Sequence, residues 1–218
     1  MTRVKICGIS EEEHALTAAG AGADFLGFVF APSRRQVTPE KAVRIISTVR
    51  QLNCSPLIVG VFVNEGVTEV NRIATYCNLD WVQLSGDEKQ EYCLKIERPL
   101  IKVIRVSSDK TPELITGEIN DNYNRLERNK LIFLLDTHSS LAYGGTGTSF
   151  NWNLLKKIPP QHPMFIAGGL TPGNVSGLVT NIKPWGVDVS SGVETDGKKD
   201  SFKIKAFIAA VKKFPAER

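Results

Sequence analysis

Short apolar runs rich in β-branched residues recur along this chain, each closed by glycine or a polar cluster and separated from the next by an amphipathic stretch. Eight such runs can be read, at residues 3–7, 25–30, 57–63, 81–84, 101–106, 131–136, 164–167 and 187–189. Their length and bounding turn residues are those of buried strands. Strands alternating with helical stretches imply right-handed βαβ units and a parallel sheet. Eight of them in 218 residues suggest closure into one α/β domain, a single (β/α)8 TIM barrel over residues 1–218. An open doubly wound sheet is the alternative.

Helix signals fill the gaps. Ser10 with Glu13 reads as a capping box. Thr38-Pro39-Glu40 and Pro112-Glu113 each place a proline in a first helical turn. In the last helix Ile204, Phe207, Ile208 and Val211 fall at i, i+3, i+4 and i+7. The polar stretch 116–130 reads as an exposed helix rather than a domain boundary.

Composition narrows the class. Apolar residues make up 42% and charged residues 23%, as in a soluble globular chain, and no apolar run approaches the roughly 20 residues of a membrane helix. The N-terminus runs straight into a strand pattern without signal-peptide regions, which predicts a cytoplasmic protein. Cys7, Cys54, Cys77 and Cys93 are far apart, indicating neither a disulfide framework nor a zinc knuckle. The net charge of +4 is spread along the chain, which argues against nucleic acid as a partner. A phosphorylated small molecule is the expected partner. Monomer and homodimer both remain open.

Function in a barrel sits where strands end at their C-terminal side. Two consecutive runs end alike: the seventh in Gly168-Gly169-Leu170-Thr171, the eighth in Ser190-Ser191-Gly192. Glycines leave amides open to close approach, and loops after strands seven and eight are the usual phosphate cradle of this architecture. A third glycine-rich loop, with Gly145 and Gly147, follows the sixth run. The remaining strand ends offer Cys7-Gly8, Ser33-Arg34-Arg35, Asn64, Ser85-Gly86-Asp87, and Asp136 with His138. One thiol, one carboxylate, a basic pair and an anion cradle point to acid–base chemistry on a phosphorylated substrate, with no cluster suited to a metal. Taken singly, Cys7 is as readily a packing residue and Asp136 a turn residue.

The segments Val4-Lys5-Ile6-Cys7-Gly8-Ile9, Leu26-Gly27-Phe28-Val29-Phe30, Val61-Phe62-Val63-Asn64, Val82-Gln83-Leu84, Leu134-Leu135-Asp136-Thr137, Ala167-Gly168-Gly169-Leu170 and Val187-Asp188-Val189-Ser190-Ser191-Gly192-Val193-Glu194 occur in that order. In this the chain resembles the phosphoribosylanthranilate isomerases over nearly its whole length. The resemblance implies a metal-free and cofactor-free barrel enzyme of tryptophan biosynthesis, catalysing an Amadori rearrangement. It further implies Cys7 as general base, Asp136 as general acid, and Arg35 as the partner of the anthranilate carboxylate. Ser85 departs from the histidine that often follows Val-Gln-Leu in that family.

Lys5, two residues before Cys7 on the same strand face, either lends the thiol positive charge or pairs with a carboxylate such as Asp188; both remain open. Competing functions are a sibling phosphosugar barrel and a non-catalytic phosphosugar-binding barrel. The first would need lysine and glutamate, or paired metal ligands, at the strand ends. The second would have no use for both Cys7 and Asp136.

Overall fold

The computed structural model describes residues 1–107, 110–126, 130–136 and 152–213. Eight parallel strands close into a barrel in chain order: β1 (Arg3–Cys7), β2 (Phe25–Val29), β3 (Leu57–Phe62), β4 (Trp81–Leu84), β5 (Leu100–Arg105), β6 (Leu131–Asp136), β7 (Met164–Ala167) and β8 (Gly186–Val189). The open-sheet alternative is thereby excluded. Closure is made by β1 and β8, with Arg3 opposite Gly186, Val4 opposite Val187, Lys5 opposite Asp188 and Ile6 opposite Val189.

Side-chain alternation sorts each strand into two cores. Val4, Ile6, Leu26, Phe28, Ile58, Phe62, Phe133 and Val187 point outward and pack under the helices. Phe25, Val59, Ile101, Ile132, Leu134, Phe165 and Ala167 point inward. Aromatic rings plug the N-terminal end of the interior: Phe165 meets Phe25 edge-on at 5.1 Å and Trp185 at 5.0 Å between ring centroids. Gly186 makes room for that plug, since a Cβ there would lie 2.6 Å from the Phe165 ring. With this end filled, the open mouth is at the strands' C-terminal ends.

The helices are α1 (Glu12–Gly20), α2 (Pro39–Arg50), α3 (Val67–Tyr76), α4 (Gln90–Cys93), α5 (Pro112–Leu126), α6 (Val175–Ile182) and α7 (Ser201–Lys212), with a 3-10 helix at Trp152–Lys157. Thr38 caps α2 as its sequence predicts, accepting from the Lys41 amide. In α7 the stripe Ile204, Phe207, Ile208 and Val211 is buried. Residues 116–126 of the stretch read as an exposed helix belong to α5, which buries Ile115, Ile119 and Leu126; residues 127–129 of that stretch lie outside the described residues. The capping box is not formed. The N-cap of α1 is Glu11, no side chain caps it, and the Glu13 carboxylate instead accepts from the Ser201 hydroxyl at 3.2 Å. Tertiary docking of α7 beside α1 has taken the group a local cap would use.

Midway up the barrel, Lys5 is fully buried and its Nζ donates to Asp188 Oδ1 at 2.9 Å. Burial works hardest against the Lys5 ammonium, but Asp188 and Cys7 together outweigh it and the Lys5 pKa is raised. An ion pair in such a place contributes little net stability, yet breaking one side of it is costly. Asp188→Asn should therefore destabilise the protein by about 3–5 kcal/mol in chemical denaturation, while the double change Lys5→Met with Asp188→Leu loses far less. A loss below about 1 kcal/mol for Asp188→Asn would show that the ammonium is satisfied without its carboxylate.

Candidate active site

Cys7 ends β1 with its side chain inward, two residues above Lys5. It is buried, and β2 supplies Gly27 directly opposite. A Cβ at Gly27 would lie 3.0 Å from Cys7 Sγ and 3.2 Å from Lys5 Nζ, so the missing side chain makes space for thiol and ammonium together. Burial pushes the thiol pKa up. Lys5 and, more weakly, Lys199 pull it down, Asp188 pushes it further up, and the balance stays above the ordinary value. The two readings of Lys5 thus hold at once: it pairs with Asp188 and also acts on Cys7.

The next residue, Gly8, has φ +79 and leaves no room for a side chain, because a Cβ would lie 2.6 Å from Arg35 Cδ and 3.3 Å from Ser190 Oγ. The Arg35 stem therefore crosses directly over the β1 loop. Its Nε and Nη2 donate to Glu194 Oε1 and Oε2 at 2.6 and 2.9 Å. Arg34 Nη2 reaches Oε2 at 2.9 Å, and Lys199 Nζ reaches Oε1 at 2.7 Å and the Ser190 carbonyl at 2.9 Å. Burial alone would raise the pKa of Glu194, but the hydrogen bonds and charges of Arg35 and Lys199 drive it down to about 2. Burial lowers the Lys199 pKa in spite of Glu194.

Asp136 closes β6, in register with Arg105 on one side and Ala167 on the other. Alternation gives it the inward face shared by Ile132 and Leu134. It stands at the mouth with β7 and β8 between it and β1. Thr137, His138 and the glycine-rich loop with Gly145 and Gly147 lie outside the described residues.

Beyond β7, Gly168 and Gly169 have φ +97 and +63, and the space where a Gly169 Cβ would stand is open. Asn174 stitches this loop together: its Oδ1 accepts from the Thr171 amide at 2.8 Å and its Nδ2 donates to the Gly169 carbonyl at 2.9 Å. A Cβ on Gly192 would run into the Leu170 carbonyl, so the β7 and β8 loops touch backbone to backbone. Ser191 and Gly192 form the start of a one-turn 3-10 helix, Ser191–Val193, that follows Ser190.

Other strand-end residues are loop ties. The buried Glu88 carboxylate accepts from the amides of Asn64 and Gly86 at 2.9 and 3.0 Å and from Lys102, while Asn64 Oδ1 accepts from the Asp87 amide at 2.8 Å. Ser85 Oγ accepts from Gln83 Nε2 at 3.1 Å, and the buried Gln83 Oε1 has no partner among the described residues. Sequence reasoning missed Glu194 and Lys199 as members of the site. They flank a hairpin of two-residue strands, β9 (Glu194–Thr195) and β10 (Lys198–Lys199), too short to give an alternating pattern. Among the described residues no His, Cys, Asp and Glu side chains gather in a way that could hold a metal, and no helix is long and apolar enough to cross a membrane.

Comparison with known proteins gives this arrangement its context. A family model described as N-(5'phosphoribosyl)anthranilate isomerase matches residues 4–210. The N-(5'-phosphoribosyl)anthranilate isomerase of Dehalococcoides mccartyi is 49% identical over 212 residues, 97% of this chain and 96% of that protein. The crystal structure of the Thermotoga maritima phosphoribosyl anthranilate isomerase superposes with a TM-score of 0.84 at 39% identity, covering 98% of this chain and all of that one. A second structure, 37% identical with a TM-score of 0.78 and covering 98% of this chain and 100% of that one, is a phosphoribosyl anthranilate isomerase in complex with reduced 1-(o-carboxyphenylamino)-1-deoxyribulose 5-phosphate. With the barrel closed as in these enzymes and the match running from β1 into α7, the chain is an isomerase that belongs to the N-(5'-phosphoribosyl)anthranilate isomerase family.

Proposed function

We propose that this chain converts N-(5-phosphoribosyl)anthranilate to 1-(2-carboxyphenylamino)-1-deoxyribulose 5-phosphate in tryptophan biosynthesis, with Asp136 as general acid and Cys7 as general base. The observation that carries the reading is the placement of an inward thiol and an inward carboxylate at the mouth of a barrel whose other end is plugged. The relative bound to a reduced product supports the choice of ligand.

The steps follow from ordinary acid–base chemistry. Asp136 gives a proton to the ribose ring oxygen, the C1–O bond breaks, and the anilino nitrogen becomes an iminium at C1. That iminium acidifies the C2–H, and the Cys7 thiolate takes the proton to leave an enolamine. The enolamine becomes the aminoketone as C1 gains a proton and the C2 hydroxyl gives one up. The phosphate sits on the β7 and β8 loops, at Gly168, Gly169, Ser190, Ser191 and Gly192. Arg35 meets the anthranilate carboxylate. No cofactor or metal enters any of these steps. The protein acts in the cytoplasm, as one barrel domain, without nucleic acid or membrane.

The direct assay is to mix the protein with phosphoribosylanthranilate in EDTA-containing buffer and follow the loss of substrate fluorescence. Turnover is expected, and Cys7→Ala and Asp136→Asn should each lower kcat by about a hundredfold or more with little change in melting temperature. Turnover that persists in both variants would remove the two residues from the chemistry.

Because burial holds the free thiol above its ordinary pKa, alkylation of Cys7 by iodoacetamide in the free protein, read at that residue by mass spectrometry, should still be accelerating as pH rises past about 8.5, the value of an unperturbed thiol. The sign is that of a nucleophile whose reactive form is gained on deprotonation. A rate that levels off below neutrality would contradict a thiol held protonated by burial.

For the phosphate, Gly169→Ala places a methyl in the open space at a left-handed φ. We expect a KM several-fold higher, weaker competition by inorganic phosphate, and a strain cost of about 1–2 kcal/mol. A lower melting temperature with unchanged KM would mean that the glycine serves folding alone.

A further inference from the structure

Arg35 is gripped before any substrate arrives, and the manner of the grip bears on what it does next. A guanidinium carries five N–H donors in a plane and presents two paired edges, one side-on through Nε and Nη2 and one end-on through Nη1 and Nη2. Glu194 takes the side-on edge with both carboxylate oxygens. The end-on edge still offers two parallel donors, the geometry a second carboxylate needs.

We propose that Glu194 is the positioning residue for Arg35: it clamps the guanidinium by its side-on edge so that the end-on edge is aimed at the substrate carboxylate. The proposal rests on the assignment of Arg35 to that carboxylate made above. Several features suit Glu194 to the task. It is 9% exposed, and with its pKa near 2 it stays ionised throughout the physiological range. Lys199 fixes Oε1 while also holding the Ser190 carbonyl, and Lys203 holds the Glu194 carbonyl at 2.8 Å, so the side chain is tied to the β8 loop and the backbone to α7. Glycine at position 8 lets the Arg35 stem cross the β1 loop to get there.

Charge adds a second argument. Glu194 is one negative group facing three cations, Arg34, Arg35 and Lys199, which leaves two positive charges in surplus around its carboxylate. A purely structural ion pair would be closer to neutral. Arg34 shares the carboxylate but makes a single bond to it from a side chain that is 59% exposed, so it stands at the rim. The clamp thus fixes a guanidinium in an orientation that a free arginine would reach only by giving up side-chain freedom.

The test compares two substrates, phosphoribosylanthranilate and its aniline counterpart without the carboxylate, in the wild type, Glu194→Gln, Arg35→Ala and the double variant. We expect Glu194→Gln to raise KM for the anthranilate substrate roughly three- to tenfold with a smaller effect on kcat. That loss should vanish with the aniline substrate, and the double variant should be no worse than Arg35→Ala. Arg35→Lys, which keeps the charge but cannot span two carboxylates, should lose nearly as much as Arg35→Ala. Equal losses on both substrates, additive losses in the double variant, or a wild-type KM for Arg35→Lys would each overturn the proposal. Should Glu194→Gln fail to fold, Glu194→Asp and Arg35→Lys decide by the same comparison. A KM sensitive to Arg35→Ala but not to Glu194→Gln overturns the clamp alone, whereas a KM indifferent to Arg35→Ala brings down the carboxylate assignment itself.

Discussion

Pairing of the first strand with the last is the constraint on which the rest of this structure depends. Lys5 and Asp188 are 183 residues apart in sequence yet meet at 2.9 Å inside the barrel, so nearly the whole chain must be folded before they can touch. The same β1–β8 seam brings Cys7 to the side of Ser190 and brings the β8 loop, with Glu194, within reach of Arg35 from the β2 loop. A chain that formed seven strands and left the seam open would have the residues of the site but not the site. The aromatic plug of Phe25, Phe165, Trp81 and Trp185 fills the other end of the barrel, and the polar interior is confined to the mouth side of it.

Burial sets the protonation states at the seam, in opposite directions for different groups. The Cys7 thiol is pushed up because the charges of Lys5 and Lys199 do not recover what it loses on leaving water. Glu194 is also opposed by burial, yet the hydrogen bonds and charges of Arg35 and Lys199 bring it to about 2. Its cations touch it directly, whereas the Lys5 ammonium is bound first to Asp188. Lys5 spends its one direct ion pair on Asp188, and only its remaining influence reaches the thiol. At rest the buried thiol is thus held toward its protonated form while the Glu194 carboxylate stays ionised among its cations.

Much of this was legible in the sequence because strands buried on both faces announce themselves as continuous apolar runs. Every run read from the pattern became a strand, with ends moved by one residue at Phe30, Val63, Leu100, Val106 and Gly186. Local caps that depend only on neighbours were also readable where a proline enforced them, as at Thr38-Pro39. Where two groups competed for one partner the reading failed, as for Ser10 and Glu13, whose carboxylate is claimed by Ser201 from the other end of the chain. The clamp on Arg35 could not have been read, since its partner lies 159 residues away and no local pattern marks an ion pair across loops. Asn64 and Asp87 looked like site residues because they end strands, but they serve to tie two loops to Glu88 and to each other.

The central claim is that one substrate spans the mouth with its carboxylate at Arg35, its reacting carbons between Asp136 and Cys7, and its phosphate on the β7 and β8 loops. The most direct measurement is a crystal structure of this protein with the reduced product, 1-(2-carboxyphenylamino)-1-deoxyribitol 5-phosphate. The account predicts the benzoate on the end-on edge of Arg35 with Glu194 still bound to the other edge, C2 within contact of Cys7 Sγ, and the phosphate against Gly169 and Gly192. A ligand lying the other way round, with phosphate at Arg35 and the ring over the glycine loops, would contradict it.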